Sequence, residues 1–303
     1  MKLLITPALK LNEYQISILG KQHELFFLED ERISINEQVI HFDPKEIEGI
    51  ICNFFFVNNS CEMLPNLKVI QLTSAGMDKI PLEEINRRKI KLYSAGNIYA
   101  IPMAEWAVGK ALEIYKYSYF FYLQKEKRIW HKNREIRELA GKKATIIGYG
   151  NVGENIARRL KGFDVEIVAV DIKQKENSLV KRCYPMTRLK EAVKEADFIF
   201  LSLPLVAETY HIIDEKILSC MKEDVVLVNV ARGALIDQAA LVRYLKKSKF
   251  LGVALDVFET EPLEPENELW DCENVIITPH NSFVGEKNSE RLFNLVVQNL
   301  ENI

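Results

Sequence analysis

The sequence predicts an α/β protein with two parallel β-sheets, each covered by helices on both faces. Short apolar runs of strand length alternate with amphipathic or polar stretches along almost the whole chain, which is typical of successive βα units. Two such series occur, one in the first hundred residues and one that starts at Lys142. A chain of 303 residues is long enough for two domains of ordinary size.

The first series contains five apolar runs that predict strands buried on both faces of a parallel sheet. They are Lys2–Thr6, Leu25–Leu28, Gly49–Asn53, Val69–Thr73 and Ile90–Tyr93. Spaced apolar residues between them, as in Leu11–Leu19, predict helices.

A helical spacing of apolar residues then runs from Pro102 to about Lys127, and it predicts one long helix with the proline in its first turn. Aromatic residues crowd the second half of this stretch. They favour core packing together with a contact between subunits, and a site for an aromatic ligand is the alternative.

The second series has six apolar runs that predict strands and five amphipathic stretches that predict helices. The strands are Ala144–Ile147, Glu166–Val170, Phe198–Leu203, Val225–Val230, Gly252–Leu255 and Val275–Thr278. The helices are Val152–Lys161, Leu189–Glu195, Asp214–Met221, Gln238–Lys246 and Lys287–Asn299.

Composition and charge argue against several classes of protein. The formal net charge is −3, and no stripe of Lys and Arg could follow a phosphate backbone, so we expect no nucleic-acid partner. Five scattered cysteines without a C-x-x-C pair argue against a disulfide framework and against a metal site, and they favour a reducing compartment.

The most apolar long stretch, residues 98–123, contains four charged side chains, which would be costly in a bilayer. The three apolar residues near the N-terminus are too few for a signal peptide, so we expect a cytoplasmic protein without a membrane span.

A glycine motif follows the first strand of the second series and opens a helix. Gly148, Gly150 and Gly153 have the spacing G-x-G-x-x-G. The first glycine permits a tight turn, the second lets the backbone approach a pyrophosphate, and the third lets helix and strand pack closely. The free amides at the start of the helix favour a phosphate group. The motif therefore predicts a dinucleotide site.

An acidic residue stands at the end of the next strand. The carboxylate of Asp171 would accept hydrogen bonds from the adenosine ribose and repel a 2′-phosphate, which favours NAD over NADP. Lys173, two residues further, would offset part of that repulsion. The alternative is that Asp171 only caps the strand end.

Three more segments place polar residues after predicted strands, at the sheet edge where ligands bind in open α/β sheets. They carry Arg232, then Asp256 with Glu261, and finally His280. Hydride transfer to a carbonyl carbon leaves negative charge on the oxygen, and an imidazole can donate the proton that this oxygen needs. A neighbouring carboxylate would orient the ring, and a guanidinium can grip a substrate carboxylate. Asp256 could accept a hydrogen bond from the carboxamide of a nicotinamide.

These motifs resemble those of the D-isomer-specific 2-hydroxyacid dehydrogenase family over nearly the whole chain. The matching stretches are residues 74–79, 96–97, 103–105, 139–142, 148–153, 228–237, 256–262 and 278–280. The resemblance implies an NAD-dependent enzyme that interconverts a small 2-keto acid and a D-2-hydroxy acid, with Arg232 binding the substrate carboxylate, Glu261 as partner and His280 as acid/base. It implies cofactor contacts from the glycine loop and from Asn151, Val152, Asp171, Val230, Ala231, Arg232, Asp256 and His280. The amides around Ala75 and Gly76 would hold the substrate carboxylate in a small nest.

The resemblance also implies a domain arrangement. A Rossmann cofactor domain, residues 102–281, would be inserted into a flavodoxin-like substrate domain made of residues 1–101 and 282–303. Catalysis would take place in a cleft, and the enzyme would be a homodimer built partly on the helix after Glu105.

Two questions stay open at this stage. The loop Cys52–Val57 after the third strand carries no Lys or Arg, which favours a substrate with a small or apolar uncharged side chain over a phosphorylated one. The alternative to an enzyme is an NAD(H)-sensing binding protein of the corepressor type, which resembles the same family and shares the three catalytic residue types. A dehydrogenase of the formate type is a further, less favoured alternative.

Overall fold

The computed structural model describes residues 1–77, 79–175 and 177–302. The chain divides into two compact units. Unit 1 comprises Met1–Tyr99 and Gly285–Ile303, and unit 2 comprises Ala100–Val284.

Unit 1 contains a parallel sheet of five strands in the order β2-β1-β3-β4-β5, which is the flavodoxin-like order. Its strands are β1 Lys2–Ile5, β2 Glu24–Phe27, β3 Gly49–Cys52, β4 Val69–Leu72 and β5 Lys91–Tyr93. Its helices are α1 Glu13–Gly20, α2 Phe55–Asn58, α3 Leu82–Arg87 and, from the end of the chain, α10 Asn288–Glu301.

Alternate residues of these strands face opposite sides of the sheet, as the pleat requires. Leu4, Ile50 and Ile70 belong to the hydrophobic cluster on one side. Leu3 and Ile5 belong to the other, which also contains four buried apolar side chains of α10: Leu292, Phe293, Val296 and Leu300. Each such buried side chain stabilises the fold by roughly 1.5–3 kcal/mol. The last helix is therefore an integral part of unit 1.

Unit 2 contains a parallel sheet of seven strands in the order β12-β11-β10-β9-β6-β7-β8, which is the Rossmann order extended by one strand. Its strands are β6 Lys143–Ile147, β7 Glu166–Val170, β8 Arg182–Tyr184, β9 Phe198–Leu201, β10 Val225–Asn229, β11 Phe250–Leu255 and β12 Val275–Ile277. Its helices are α4 Ala100–Tyr115, α5 Ser118–Glu126, α6 Asn151–Lys161, α7 Leu189–Lys194, α8 Glu215–Cys220 and α9 Gln238–Lys246. The strand order reverses between β6 and β9, so the loops that follow these two strands flank the position where such sheets bind ligands.

Two elements differ from the sequence-based expectation. The helix expected from Pro102 to Lys127 is interrupted at Tyr117, which has a left-handed φ of 51°. The carbonyl of Tyr115 accepts a hydrogen bond from the amide of Arg137 at 3.0 Å, a contact from a distant segment that the local spacing does not reveal. The short strand β8 was missed because it has three residues and no apolar run.

Among the described residues, no helix combines the length and the apolar character needed to cross a membrane.

Candidate active site

The glycine loop after β6 has little room for side chains at its first and last glycines. Gly148 has a φ of +91°, and a Cβ there would lie 2.6 Å from the backbone nitrogen of Leu203. A Cβ on Gly153 would lie 2.2 Å from the carbonyl oxygen of Gly148. Both distances are far inside van der Waals contact, so the turn and the close packing of α6 depend on glycine at these two positions.

Gly150 differs from the other two glycines because the described residues leave space around the position that a Cβ would take. Among the described residues, no atom outside its immediate neighbours lies within 4 Å of where its Cβ would be. The residue is the N-cap of α6, whose first amides, from Asn151 and Val152, have no intrahelical acceptor. Open space in front of unpaired amides fits the pyrophosphate of a dinucleotide.

Asp171 follows β7 and lies beside the glycine loop. Its Oδ2 accepts a hydrogen bond from the amide of Tyr149 at 2.6 Å, and its Oδ1 accepts one from the amide of Lys173 at 2.8 Å. The half-buried carboxylate therefore fixes the turn as well as offering its remaining lone pairs to a ligand.

The arginine loop follows β10. The fully buried side chain of Asn229 donates to the carbonyl of Arg232 at 2.9 Å and accepts from the amide of Ala231 at 3.0 Å. Val230 and Ala231 are buried, whereas Arg232 is half-exposed. Asn229 thus holds the backbone that presents the guanidinium.

Gly233 joins the arginine loop to the loop after β11 Phe250–Leu255. A Cβ on Gly233 would lie 1.8 Å from the carbonyl carbon of Phe258 and 2.3 Å from the amide of Glu259. The two backbones are therefore in direct contact, and the position of Arg232 is coupled to that of the segment carrying Glu261.

Glu261 and His280 are in direct contact. Nδ1 of the imidazole lies 2.8 Å from Oε2 of the carboxylate, while Oε1 accepts from the amide of Phe258 at 3.1 Å. Both side chains are partly exposed, at 42% for the histidine and 37% for the glutamate. Nε2 of the imidazole makes no hydrogen bond within the described ranges, so it is available to give a proton to a ligand or to accept one.

Asp256 holds the turn that carries His280. Its carboxylate has no exposed surface and accepts hydrogen bonds from the hydroxyl of Thr278 at 2.5 Å and from the amides of Asn281 at 2.7 Å and Ser282 at 2.9 Å. The backbone amide of His280 donates to the carbonyl of Asp256 at 2.8 Å, with φ at 50°. These contacts give Asp256 a positioning role, and its expected contact with a carboxamide stays a prediction.

Ala75 and Gly76 belong to unit 1, where they follow β4 Val69–Leu72. Ser74 holds this turn by donating from its hydroxyl to the carbonyl of Gly76 at 2.9 Å. Neither amide of the two residues has an acceptor in the part of the chain that the structure describes, and Ala75 is exposed. Two unpaired amides in a tight turn suit a carboxylate ligand.

Comparison with known proteins decides the family. Residues 109–282 match the model of the NAD-binding domain of D-isomer-specific 2-hydroxyacid dehydrogenases. This chain belongs to the D-isomer-specific 2-hydroxyacid dehydrogenase family. It is a hydroxyacid oxidoreductase that uses a nicotinamide cofactor and acts on a CH–OH group.

Individual relatives of this dehydrogenase agree over nearly the full length. The chain is 32% identical to a glyoxylate reductase of Pyrococcus furiosus, covering 99% of this chain and 91% of that protein. Among solved structures it is similar to a glyoxylate reductase from Paecilomyes thermophila, with a TM-score of 0.85, 25% identity, and coverage of 99% and 94%. It is also similar to a D-lactate dehydrogenase from Aquifex aeolicus complexed with NAD and lactic acid, with a TM-score of 0.78, 27% identity, and coverage of 99% and 94%.

Sequence reasoning missed several residues that build the site of this dehydrogenase. Asn229 was not singled out because a single amide inside an apolar strand carries no local signal. Ser202 follows β9 and donates from its hydroxyl to the carbonyl of Gly148 at 2.7 Å, which ties the glycine turn to the neighbouring strand. Its place at the end of a predicted strand was the available signal.

A second histidine–glutamate contact was also missed. Nε2 of His211 lies 2.8 Å from Oε1 of Glu259, which also accepts from the amide of Gln238 at 3.1 Å. The contact of His211 connects the segment after β9 to the segment that carries Glu261. The residues are 48 positions apart, so spacing alone gives no sign of the contact.

Proposed function

We propose that the protein catalyses the reversible NADH-dependent reduction of a small 2-keto acid to the D-2-hydroxy acid. The observation that carries this proposal is the contact between His280 and Glu261, which occupies Nδ1 of the imidazole and leaves Nε2 available for proton transfer. His280 acts as the acid/base, Glu261 as its partner and Arg232 as the group that binds the substrate carboxylate.

The residues of the glycine loop fit a nicotinamide dinucleotide. Gly150 leaves open space before the first amides of α6, and Asp171 stands where the adenosine ribose of such a cofactor would bind. When bound, the cofactor supplies the hydride.

The proton chemistry follows from the hydrogen bonds of His280. Its Nδ1–H donates to the carboxylate of Glu261, because an ionised carboxylate can only accept. The proton for the substrate oxygen therefore comes from Nε2 during reduction and returns there during oxidation. Glu261 holds the ring in this orientation and stabilises its positive charge. Arg232 would bind the carboxylate of the acid through its fork of donors.

We further propose NAD(H) as the preferred cofactor. The carboxylate of Asp171 is fixed by two backbone amides beside the glycine turn, where its charge would repel a 2′-phosphate. The exposed residues near it include Lys173, which would reduce that preference without reversing it.

We also propose that the enzyme is a homodimer. Three aromatic side chains on and after α5 are strongly exposed: Tyr119 at 61%, Tyr122 at 60% and Trp130 at 96%. The amide of Ile129 donates to the carbonyl of Gln124 at 2.9 Å, which keeps Trp130 near the end of that helix. Aromatic side chains of this kind anchor protein–protein interfaces.

A panel of 2-keto acids, assayed with NADH and with NADPH, tests the proposed activity and cofactor. We expect turnover of at least one 2-keto acid, with a higher kcat/KM for NADH than for NADPH. Tight NADH binding without turnover of any acid would instead indicate a sensor protein. A higher kcat/KM for NADPH would overturn the cofactor assignment alone.

A further inference from the structure

An aromatic ring flanked by two cations stands at the carboxyl end of β3 Gly49–Cys52 in unit 1. The ring is that of the half-buried Phe54. The guanidinium carbon of Arg32 lies 5.2 Å from the ring centroid, and the ammonium of Lys79 lies 3.9 Å from it. Arg32 comes from the loop after β2 and Lys79 from the segment after β4, so three loops at one edge of the sheet converge here.

The described residues give neither of these two cations a carboxylate partner. Within residues 1–77, 79–175 and 177–302, neither forms an ion pair with an acidic side chain. Because both lie close to the same ring, they are within about 10 Å of each other, which is about one Debye length at 0.1 M salt. Their repulsion is therefore incompletely screened, although each gains about 0.5–1 kcal/mol from the ring.

The two carboxylates that directly precede Arg32 in the chain accept hydrogen bonds from groups other than the two side-chain cations. Asp30 accepts from the backbone amide of Arg32 at 2.8 Å. The buried Glu31 accepts from the hydroxyl of Thr6 at 2.7 Å and from the amide of Asn53 at 2.9 Å. Glu31 thereby fixes the start of the loop that presents Phe54, and the side-chain cations are left to attract an external anion.

The position of this cation pair relates it to the substrate. It lies on loops at the same edge of the five-stranded sheet as Ala75 and Gly76, whose unpaired amides suit the first carboxylate of a keto acid. β3 and β4 are neighbours in that sheet. A group bound to these amides therefore has the two cations at the adjacent strand end.

We propose that Arg32 and Lys79 select 2-keto acids whose side chain ends in a second anionic group over those with a neutral side chain. This inference rests on the proposed function and names its substrate class. It differs from the expectation drawn from the loop Cys52–Val57, which has no cation of its own. Arg32 lies 20 or more positions before that loop, and Lys79 lies in the segment after β4.

The test compares keto acids that differ in their side chains. Steady-state kinetics with NADH give kcat/KM for oxaloacetate and 2-oxoglutarate, for 3-phosphohydroxypyruvate, and for pyruvate as the neutral reference. We expect oxaloacetate or 2-oxoglutarate, or else the phosphorylated acid, to exceed pyruvate by about tenfold or more, a factor that corresponds to about 1.4 kcal/mol. The kcat/KM values of the two dicarboxylic acids, compared with that of 3-phosphohydroxypyruvate, identify whether a carboxylate or a phosphate is preferred in the side chain.

Two charge-neutral variants, Arg32→Gln and Lys79→Gln, assign the effect to these side chains. Each should lower kcat/KM for the favoured anionic acid by about fivefold, as expected for one incompletely screened charge, and change that for pyruvate by less than about twofold. Added salt should reduce the selectivity of the wild type more than that of the variants. The matched control is Lys45→Gln, at an exposed lysine that precedes the amino end of β3. It should change kcat/KM for neither the anionic acid nor pyruvate.

The outcomes separate this inference from the proposed function. Reduction of pyruvate at least as efficiently as of every anionic acid, or equal losses for both classes in the variants, would overturn the inference and leave the dehydrogenase activity intact. If no keto acid is reduced, the proposed function fails, and calorimetric titration of the NADH-bound protein with oxaloacetate and pyruvate decides the inference. Tighter binding of oxaloacetate that is lost in Lys79→Gln would support it, and equal binding would overturn it.

Discussion

At the scale of single residues, the site depends on backbone positions that look unremarkable in the sequence. His280 adopts a positive φ, and two carbonyls, those of Asp256 and Thr278, accept its amide at 2.8 and 3.0 Å. A non-glycine residue in this region is uncommon and persists only where its surroundings fix it. This fixed backbone holds the imidazole against Glu261. The turn and the carboxylate therefore both orient the imidazole ring.

Substitution of His280 tests its role as the acid/base. We expect His280→Ala to lower kcat by roughly 100-fold or more, because general acid/base catalysis typically contributes that much. NADH affinity, measured by fluorescence titration, should change by less than about threefold. His41→Ala, at an exposed histidine of unit 1, is the control. Unchanged turnover in His280→Ala would require another acid/base.

Substitution of Asp171 tests the cofactor preference. Removal of its charge in Asp171→Asn keeps one acceptor for the glycine turn and removes repulsion worth about 1–4 kcal/mol at close range. We expect the ratio of kcat/KM for NADPH to that for NADH to rise by about tenfold or more. A ratio that stays constant, with both cofactors weakened equally, would assign Asp171 only a structural role.

At the scale of elements, contacts between strand-end loops assemble the site. Gly233 touches the backbone of Phe258 and Glu259, and the buried Asp256 ties the end of β11 to the turn after β12. Three neighbouring strands, β10, β11 and β12, thus have their carboxyl ends joined by backbone packing and hydrogen bonds.

Alanine substitution at two glycines tests this coupling. The added methyl group in Gly233→Ala would overlap with Phe258, so we expect a loss of about 1–3 kcal/mol in the free energy of unfolding and a large loss of turnover. In Gly109→Ala, at a helical glycine with no described atom within 4 Å of the new group, stability should stay the same or increase by about 0.5–1 kcal/mol. Urea denaturation measures both, and equal stability of the two variants would contradict the coupling.

His23, which follows α1, gives unit 1 a dependence on pH. Burial, with a smaller effect of the positive chain terminus, lowers the pKa of His23 below its ordinary value of 6.5. Its Nδ1 is buried without a hydrogen-bond partner among the described residues, and Glu301 of α10 lines the same small cavity.

The sign of that dependence follows from linkage. The unfolded chain binds a proton at His23 more readily than the folded chain does. The stability of unit 1 is therefore not reduced by this histidine above about pH 6.5, and it decreases as the pH falls through and below this value. We expect the free energy of unfolding of the wild type to decrease more between pH 7.5 and 5 than that of His23→Gln. Parallel pH profiles of the two proteins, from urea denaturation, would contradict this expectation.

At the scale of the whole molecule, the two units have separate hydrophobic cores, and residues with predicted functional roles occur in each of them. Unit 2 contains the glycine loop and the three predicted catalytic residues, Arg232, Glu261 and His280. Unit 1 contains the amides of Ala75 and Gly76 and the cation pair. The strongly exposed aromatic side chains after Ser118 lie in unit 2.

Removal of these aromatic side chains tests the proposed dimer. We expect the wild type to be a dimer by analytical ultracentrifugation and the double variant Tyr122→Ser, Trp130→Ser to raise its Kd by about 100-fold, since buried aromatic anchors are often worth 2 kcal/mol or more. Tyr14→Ser, at a tyrosine of unit 1 that is 73% exposed, is the control. A monomeric wild type, or a double variant with unchanged Kd, would refute this interface.

The sequence alone determined the type and order of nearly all elements, the fold class, the glycine loop, the family and the contact between Glu261 and His280. Apolar periodicity and short motifs express the elements and the glycine loop because these depend on residues close together in the chain. The contact between Glu261 and His280 was expected from the sheet edge that both residues share and from the family resemblance. The helix break at Tyr117, the strand β8, the support from Asn229 and the cations at Phe54 were decided by tertiary structure. Each of them depends on contacts between distant segments, or on a strand too short to have a pattern, so no local spacing could reveal it.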